Sequence, residues 1–107
     1  MSMSEIDDFA KLEEFLQGMG KRILFKHSTR CPISARAYRE MELLSEEHPE
    51  VPMGLVKVIE SRPISQEIEK RLGVMHQSPQ VILLDGKRLV AHVSHYEVRR
   101  EKLSPLL

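Results

Sequence analysis

Cys31, followed directly by Pro32, is the residue best placed to do chemistry in this chain. It stands just after Arg22-Ile23-Leu24-Phe25-Lys26-His27, an apolar run that fits a buried strand, and the loop His27-Ser28-Thr29-Arg30. Pro32 suits a first helical turn, where its missing N–H costs nothing. The thiol is therefore expected at a helix N-terminus, facing unpaired backbone N–H groups and the positive end of the helix dipole. Such positions lower a thiol's pKa from about 8.5 toward or below neutrality, and the thiolate is the nucleophile. Lys26, His27 and Arg30 could add positive potential. Ser34 occupies the place of a second cysteine in a Cys-x-x-Cys motif. Its hydroxyl could hydrogen-bond the thiolate but cannot resolve a mixed disulfide. Thr29, Arg30, Pro32 and Ser34 are the expected support of the Cys31 thiolate.

The five histidines, His27, His48, His76, His92 and His95, include no pair at i, i+4, and only one cysteine accompanies them. No metal site is expected. His76 attracts notice because it is close in sequence to Pro79, and His27 because it ends the strand before Cys31.

The elements that must position the thiol can be read from periodicity and punctuation. Ile6, Phe9, Leu12, Phe15 and Leu16 recur at helical spacing, with Ser4 as a cap and Asp7 in an imperfect capping box. Gly18 and Gly20 end that helix. Ile33, Ala37, Met41 and Leu44 form one stripe of a helix that stops before His48-Pro49. Val51 to Ile59 reads as a strand. Ser61-Arg62-Pro63 starts a helix carrying Ile64, Ile68 and Leu72, which Gly73 closes. Val81 to Leu84, the turn Asp85-Gly86 and Leu89 to Val93 make a hairpin. Ser94 is expected to cap a last helix from His95 to about Leu103.

The order is a leading helix and then βαβαββα. The first two strands are expected to be parallel and the last two antiparallel. This is the plan of an α/β thioredoxin-like domain with a four-stranded mixed sheet flanked by helices, and residues 1–107 read as a single such domain. In that plan a proline directly before the third strand is the place of a cis proline beside the thiol. Pro79 holds it, and the Ser78 backbone could then pair in β fashion with a thiol ligand or an extended substrate segment.

Composition narrows the function. The 107 residues carry 16 Lys plus Arg against 16 Asp plus Glu, for a formal net charge of zero, which argues against a general nucleic-acid binder. No apolar run approaches the ~20 residues of a membrane span. The acidic, polar start does not read as a secretory signal. One cysteine excludes a disulfide framework within the chain, and a charge-rich single-thiol chain reads as cytoplasmic.

Lys26-His27-Ser28-Thr29-Arg30-Cys31-Pro32-Ile33-Ser34 closely resembles the Thr-Cys-Pro-Ile-Ser region of the YtxJ family, the monothiol bacilliredoxins. Ser61 to Ser65, Gly73-Val74, His76 to Val81, Asp85-Gly86 and Ala91 to His95 are similar to the same family, in order, over about residues 5 to 103. The resemblance implies a thiol–disulfide oxidoreductase of the bacillithiol system. Bacillithiol, a glucosaminyl-malate thiol that replaces glutathione in some bacteria, would be its co-substrate, with no permanently bound cofactor. S-bacillithiolated proteins would be its partners, with bacillithiol or a partner redoxin for recycling. By position Cys31 would be the nucleophile; Ser78, Pro79, Lys26 and His76, from their places in the chain and the expected fold, are the candidate ligand-binding residues. Arg30 departs from the uncharged residue expected there, and a cation at that place would favour the anionic malate. Two other functions fit a lone thiol: a glutaredoxin-like iron–sulfur cluster protein, or a redox sensor capped by a low-molecular-weight thiol.

Overall fold

The computed structural model describes residues 3–107; Met1 and Ser2, the first residues of the acidic start, lie outside the described residues. The leading helix, α1 (Phe9–Leu16), begins later than the spacing of its apolar residues suggests. Its cap is Asp8, whose side chain accepts the Lys11 N–H at 2.7 Å, and not Ser4. Ser4 belongs instead to a short strand, β1 (Met3–Glu5). Ile6 is 2% exposed, and its N–H donates to the Leu55 carbonyl at 2.8 Å, extending the strand rather than starting the helix.

After α1 the chain forms β2 (Lys21–His27), α2 (Pro32–Glu47), β3 (Met53–Lys57) and α3 (Arg62–Leu72). The hairpin β4 (Gln80–Asp85) and β5 (Arg88–Ser94) follows. The sheet thus has five strands, not the four expected, in the order β1-β3-β2-β4-β5. The addition is β1, which pairs in parallel with β3 through Met3↔Met53 and Glu5↔Leu55. β2 and β3 are parallel, while β2–β4 and β4–β5 are antiparallel.

β2 lies mid-sheet with helices over both faces, which explains its nearly continuous apolar run. On one face Ile23, Phe25, Leu55 and Val81 pack with Ala37, Met41 and Leu44 of α2, and with Val98 and Leu103. On the other, Leu24, Val56 and Ile82 pack with Leu12 of α1 and with Ile64 and Ile68 of α3. Gly54 is closely packed on this second face. A Cβ there would lie 2.5 Å from Ile6 Cδ1 and 3.1 Å from the Phe15 ring. Gly54→Ala is therefore expected to destabilise the protein by about 1–3 kcal/mol, read as a lowered thermal midpoint.

The last segment departs most from expectation. Ser94 ends β5 and makes no side-chain cap. His95 has φ 55, a left-handed conformation that cannot belong to a right-handed α-helix. A single 3₁₀ turn, His95–Glu97, is followed by the one-turn helix α4 (Arg100–Leu103). Val98, 3% exposed, and Leu103, fully buried, still anchor the segment on the α2 side.

Candidate active site

Cys31 is the N-cap of α2, partly exposed, with Pro32 in the first turn. Its carbonyl accepts the Ala35 N–H at 3.0 Å, so the backbone enters the helix at the cysteine itself. The side chain makes no capping hydrogen bond. The sulfur thus stands at the start of a 16-residue helix, where unpaired N–H groups and the aligned peptide dipoles favour an anion.

The loop that carries the thiol is held from behind. Ser34, fully buried, accepts the Ser28 N–H on Oγ at 2.9 Å and shares a 2.8 Å hydrogen bond with His27 Nδ1. The Cys31 N–H in turn donates to the Ser28 carbonyl at 3.4 Å. The hydroxyl in the second-cysteine position therefore anchors the loop, where the sequence suggested that it would bond the thiolate. The His27 ring packs 5.0 Å from Tyr38 and 5.5 Å from Phe25. Burial, chiefly, pushes its pKa below the ordinary 6.5, so it is a neutral imidazole at pH 7. Ser34→Ala would leave the buried His27 Nδ1 and the half-buried Ser28 N–H without this partner. It is expected to cost about 1–3 kcal/mol in a denaturant melt and to slow thiol chemistry without abolishing it.

Thr29 and Arg30 face a different neighbour. Thr29 Oγ1 donates to Glu60 Oε2 at 2.8 Å. That bond, foremost, holds the Glu60 carboxyl below its usual range, with Lys57 and Arg30 adding to the effect. Arg30 is exposed and lies near enough to this carboxylate to act on it.

The Ser78–Pro79 peptide is cis, the geometry expected from its place in the sequence. The last β2–β4 pair is Lys26↔Gln80, so Pro79 sits one step beyond it, level with His27 and the start of the Cys31 loop. The Ser78 hydroxyl is buried without a hydrogen-bond partner.

Lys26 and His76 are both engaged with α3. Lys26 is fully buried, and its ammonium donates to the Ser65 carbonyl at 3.4 Å, so it cannot touch a ligand directly as expected. Alternation along β2 turns it to the α3 side, opposite to Phe25. His76 lies over α3: its Nδ1 meets Ser65 Oγ at 3.3 Å and its N–H donates to Glu69 Oε2 at 2.9 Å.

The sequence reading missed the segment between β3 and α3. His27↔Lys57 ends the parallel β2–β3 ladder, which sets the Cys31 loop beside Val58–Ser61. A usable signal existed, because ligands in such sheets bind beyond the carboxyl ends of adjacent parallel strands. Among the described residues, no helix is long and apolar enough to cross a membrane, and no group of three or more His, Cys, Asp or Glu could hold a metal ion.

Comparison with known proteins agrees with this geometry. The family model Monothiol bacilliredoxin BrxC matches residues 4–103. A solved protein with a thioredoxin fold is similar at 24% identity and a TM-score of 0.89, covering 96% of this chain and 91% of its own. Thioredoxin O2 from Arabidopsis thaliana is similar at 21% identity and a TM-score of 0.81, covering 98% and 94%. Mitochondrial thioredoxin 3 from Saccharomyces cerevisiae is similar at 16% identity and 0.78, covering 96% and 91%. At these identities the solved structures show the shared fold.

Proposed function

Since the chain belongs to the monothiol bacilliredoxin family, we propose that it removes bacillithiol from S-bacillithiolated proteins through a mixed disulfide on Cys31. The Cys31 thiolate attacks the bacillithiol sulfur of the client disulfide. A Cys31–bacillithiol disulfide forms, the client–bacillithiol bond breaks, and the client leaves as a thiolate that takes a proton from water. A second bacillithiol thiolate then attacks the bacillithiol sulfur held on Cys31. Bacillithiol disulfide leaves and the Cys31 thiolate is restored. Across the cycle one client cysteine is reduced and one free bacillithiol is oxidised, while the bacillithiol taken from the client stays at the disulfide level, so exchange itself needs no further electron source.

The observation that carries this reading is the single thiol of the chain, partly exposed at the start of α2, with a serine anchored inward where a resolving cysteine would stand. With no second cysteine, resolution must come from an outside thiol: bacillithiol, or a partner redoxin.

The test is release of a fluorescent peptide from its bacillithiol mixed disulfide, with catalytic protein and excess bacillithiol. Many equivalents of peptide per protein are expected. One equivalent with no further turnover would replace this reading by a sensor that is merely capped.

A further inference from the structure

A cavity of about 300 Å³ opens between the carboxyl end of β3 and the first turns of α3. Val58, Ile59, Arg62, Gln66, Glu69 and His76 line it. Its apolar rim is bonded to the thiol loop. The Val58 N–H donates to the His27 carbonyl at 2.9 Å, and Glu60, next to Ile59, accepts from Thr29 at 2.8 Å. The cavity therefore opens beside the loop that carries Cys31. Its volume is at the lower end for small-molecule sites, suited to part of a ligand rather than to a protein segment.

The polar groups of the cavity are of both kinds. Arg62 enters no salt bridge among the described residues. His76 is engaged through Nδ1, which leaves Nε2 for a ligand. Glu69 already accepts the His76 N–H, and with Gln66 it offers oxygens to hydroxyl donors. Behind Ser65 lies the buried ammonium of Lys26, with one 3.4 Å hydrogen bond to the Ser65 carbonyl. Gln80, opposite Lys26 across the ladder and 1% exposed, has an Oε1 with no partner, while its Nε2 holds the Met75 carbonyl at 3.0 Å. The residues before the cis proline are thus fixed by Gln80, Glu69 and Ser65, over the buried Lys26 ammonium, which Glu69 offsets only in part. Lys26 and Arg62 both help hold His76 below its ordinary pKa, after burial, while Glu69 opposes them.

We propose that this cavity is the subsite for the carboxylate- and hydroxyl-bearing half of the small thiol partner, with Arg62 as the residue that binds its carboxylate. The inference rests on the proposed function and deepens it, because it says how a bacillithiol adduct is told from other mixed disulfides. Arg62 pairs with the carboxylate, His76 Nε2 supports it, and Glu69 and Gln66 take the sugar hydroxyls. The charge of Lys26 lies where salt and water screen it poorly.

The test compares one peptide as two mixed disulfides, with bacillithiol and with 2-mercaptoethanol, which has neither carboxylate nor sugar. The readout is the ratio of kcat/KM for the two. Arg62→Gln is expected to lower that ratio about tenfold or more, chiefly through KM, as loss of a charge-assisted hydrogen bond does. Arg62→Lys should recover part of it. Arg62 is exposed in the first turn of α3, so its replacement should leave the fold intact. If the native protein prefers the bacillithiol disulfide and Arg62→Gln prefers it equally, the subsite is elsewhere and the inference is overturned. If the native protein reacts with the 2-mercaptoethanol disulfide but not with that of bacillithiol, the proposed function itself is wrong and the subsite goes with it.

Discussion

Replacing Cys31 with serine is expected to stop release of bacillithiol from client proteins altogether, leaving only the uncatalysed rate. The chain has no other thiol to take over, so the loss is complete rather than partial. The fold should survive the change. Cys31 caps α2 without a side-chain hydrogen bond, whereas serine is among the preferred capping residues. The thermal midpoint of Cys31→Ser is therefore expected to stay level or to rise, by at most about 1 kcal/mol of stability. Peptide release and a thermal melt on the same sample check both parts. A variant that lost activity and also unfolded would say nothing for the nucleophile, which is why the cap argument matters.

Lys26→Met should make the protein more stable, by an amount that depends on pH. Burial lowers the Lys26 pKa from 10.5 to about 8, against a weaker opposing effect of Glu69. At about 1.4 kcal/mol for each tenfold change in proton affinity, the displacement amounts to about 3 kcal/mol. Below pH 8 the native and unfolded states both carry the ammonium, and the native state bears the full cost of burying it. Between pH 8 and 10.5 the native state gives up the proton and the unfolded state keeps it, so native stability rises with pH. Above 10.5 both states are neutral and the cost is gone. Methionine has no such titration. Urea denaturation should therefore show the variant ahead by about 3 kcal/mol at pH 7, with the gap closing toward pH 10.5. A variant less stable than the native protein at every pH would mean that the ammonium is well satisfied in the fold.

The fold could be read from the sequence wherever local chemistry and tertiary context agree. Pro32 and the stripe Ile33, Ala37, Met41 and Leu44 mark α2, Gly73 ends α3 in the left-handed conformation, and Asp85-Gly86 turns the hairpin. It could not be read where a long-range contact decides. β1 is three residues long and exists because β3 offers it a parallel edge. Ile6 matches a helical stripe, yet it is buried through its bond to Leu55. His95 breaks the last helix by a backbone conformation that its side chain does not announce.

The site divides in the same way. Cys31 and Pro79 are punctuated by their own neighbours. The closeness of the segment Val58–Arg62 to the Cys31 loop depends on the β2–β3 register, which one strand's sequence does not state. Lys26 was legible in principle: in a central strand, residues between Phe25 and His27 turn to the other covered face.

Intact-mass analysis in a single turnover tests the central claim most directly. Reduced protein is mixed with one equivalent of an S-bacillithiolated client, with no free bacillithiol present. The account predicts that the client loses the mass of one bacillithiol and this chain gains it on Cys31. A client that keeps its adduct, while Cys31 remains open to alkylation in a folded chain, would contradict it.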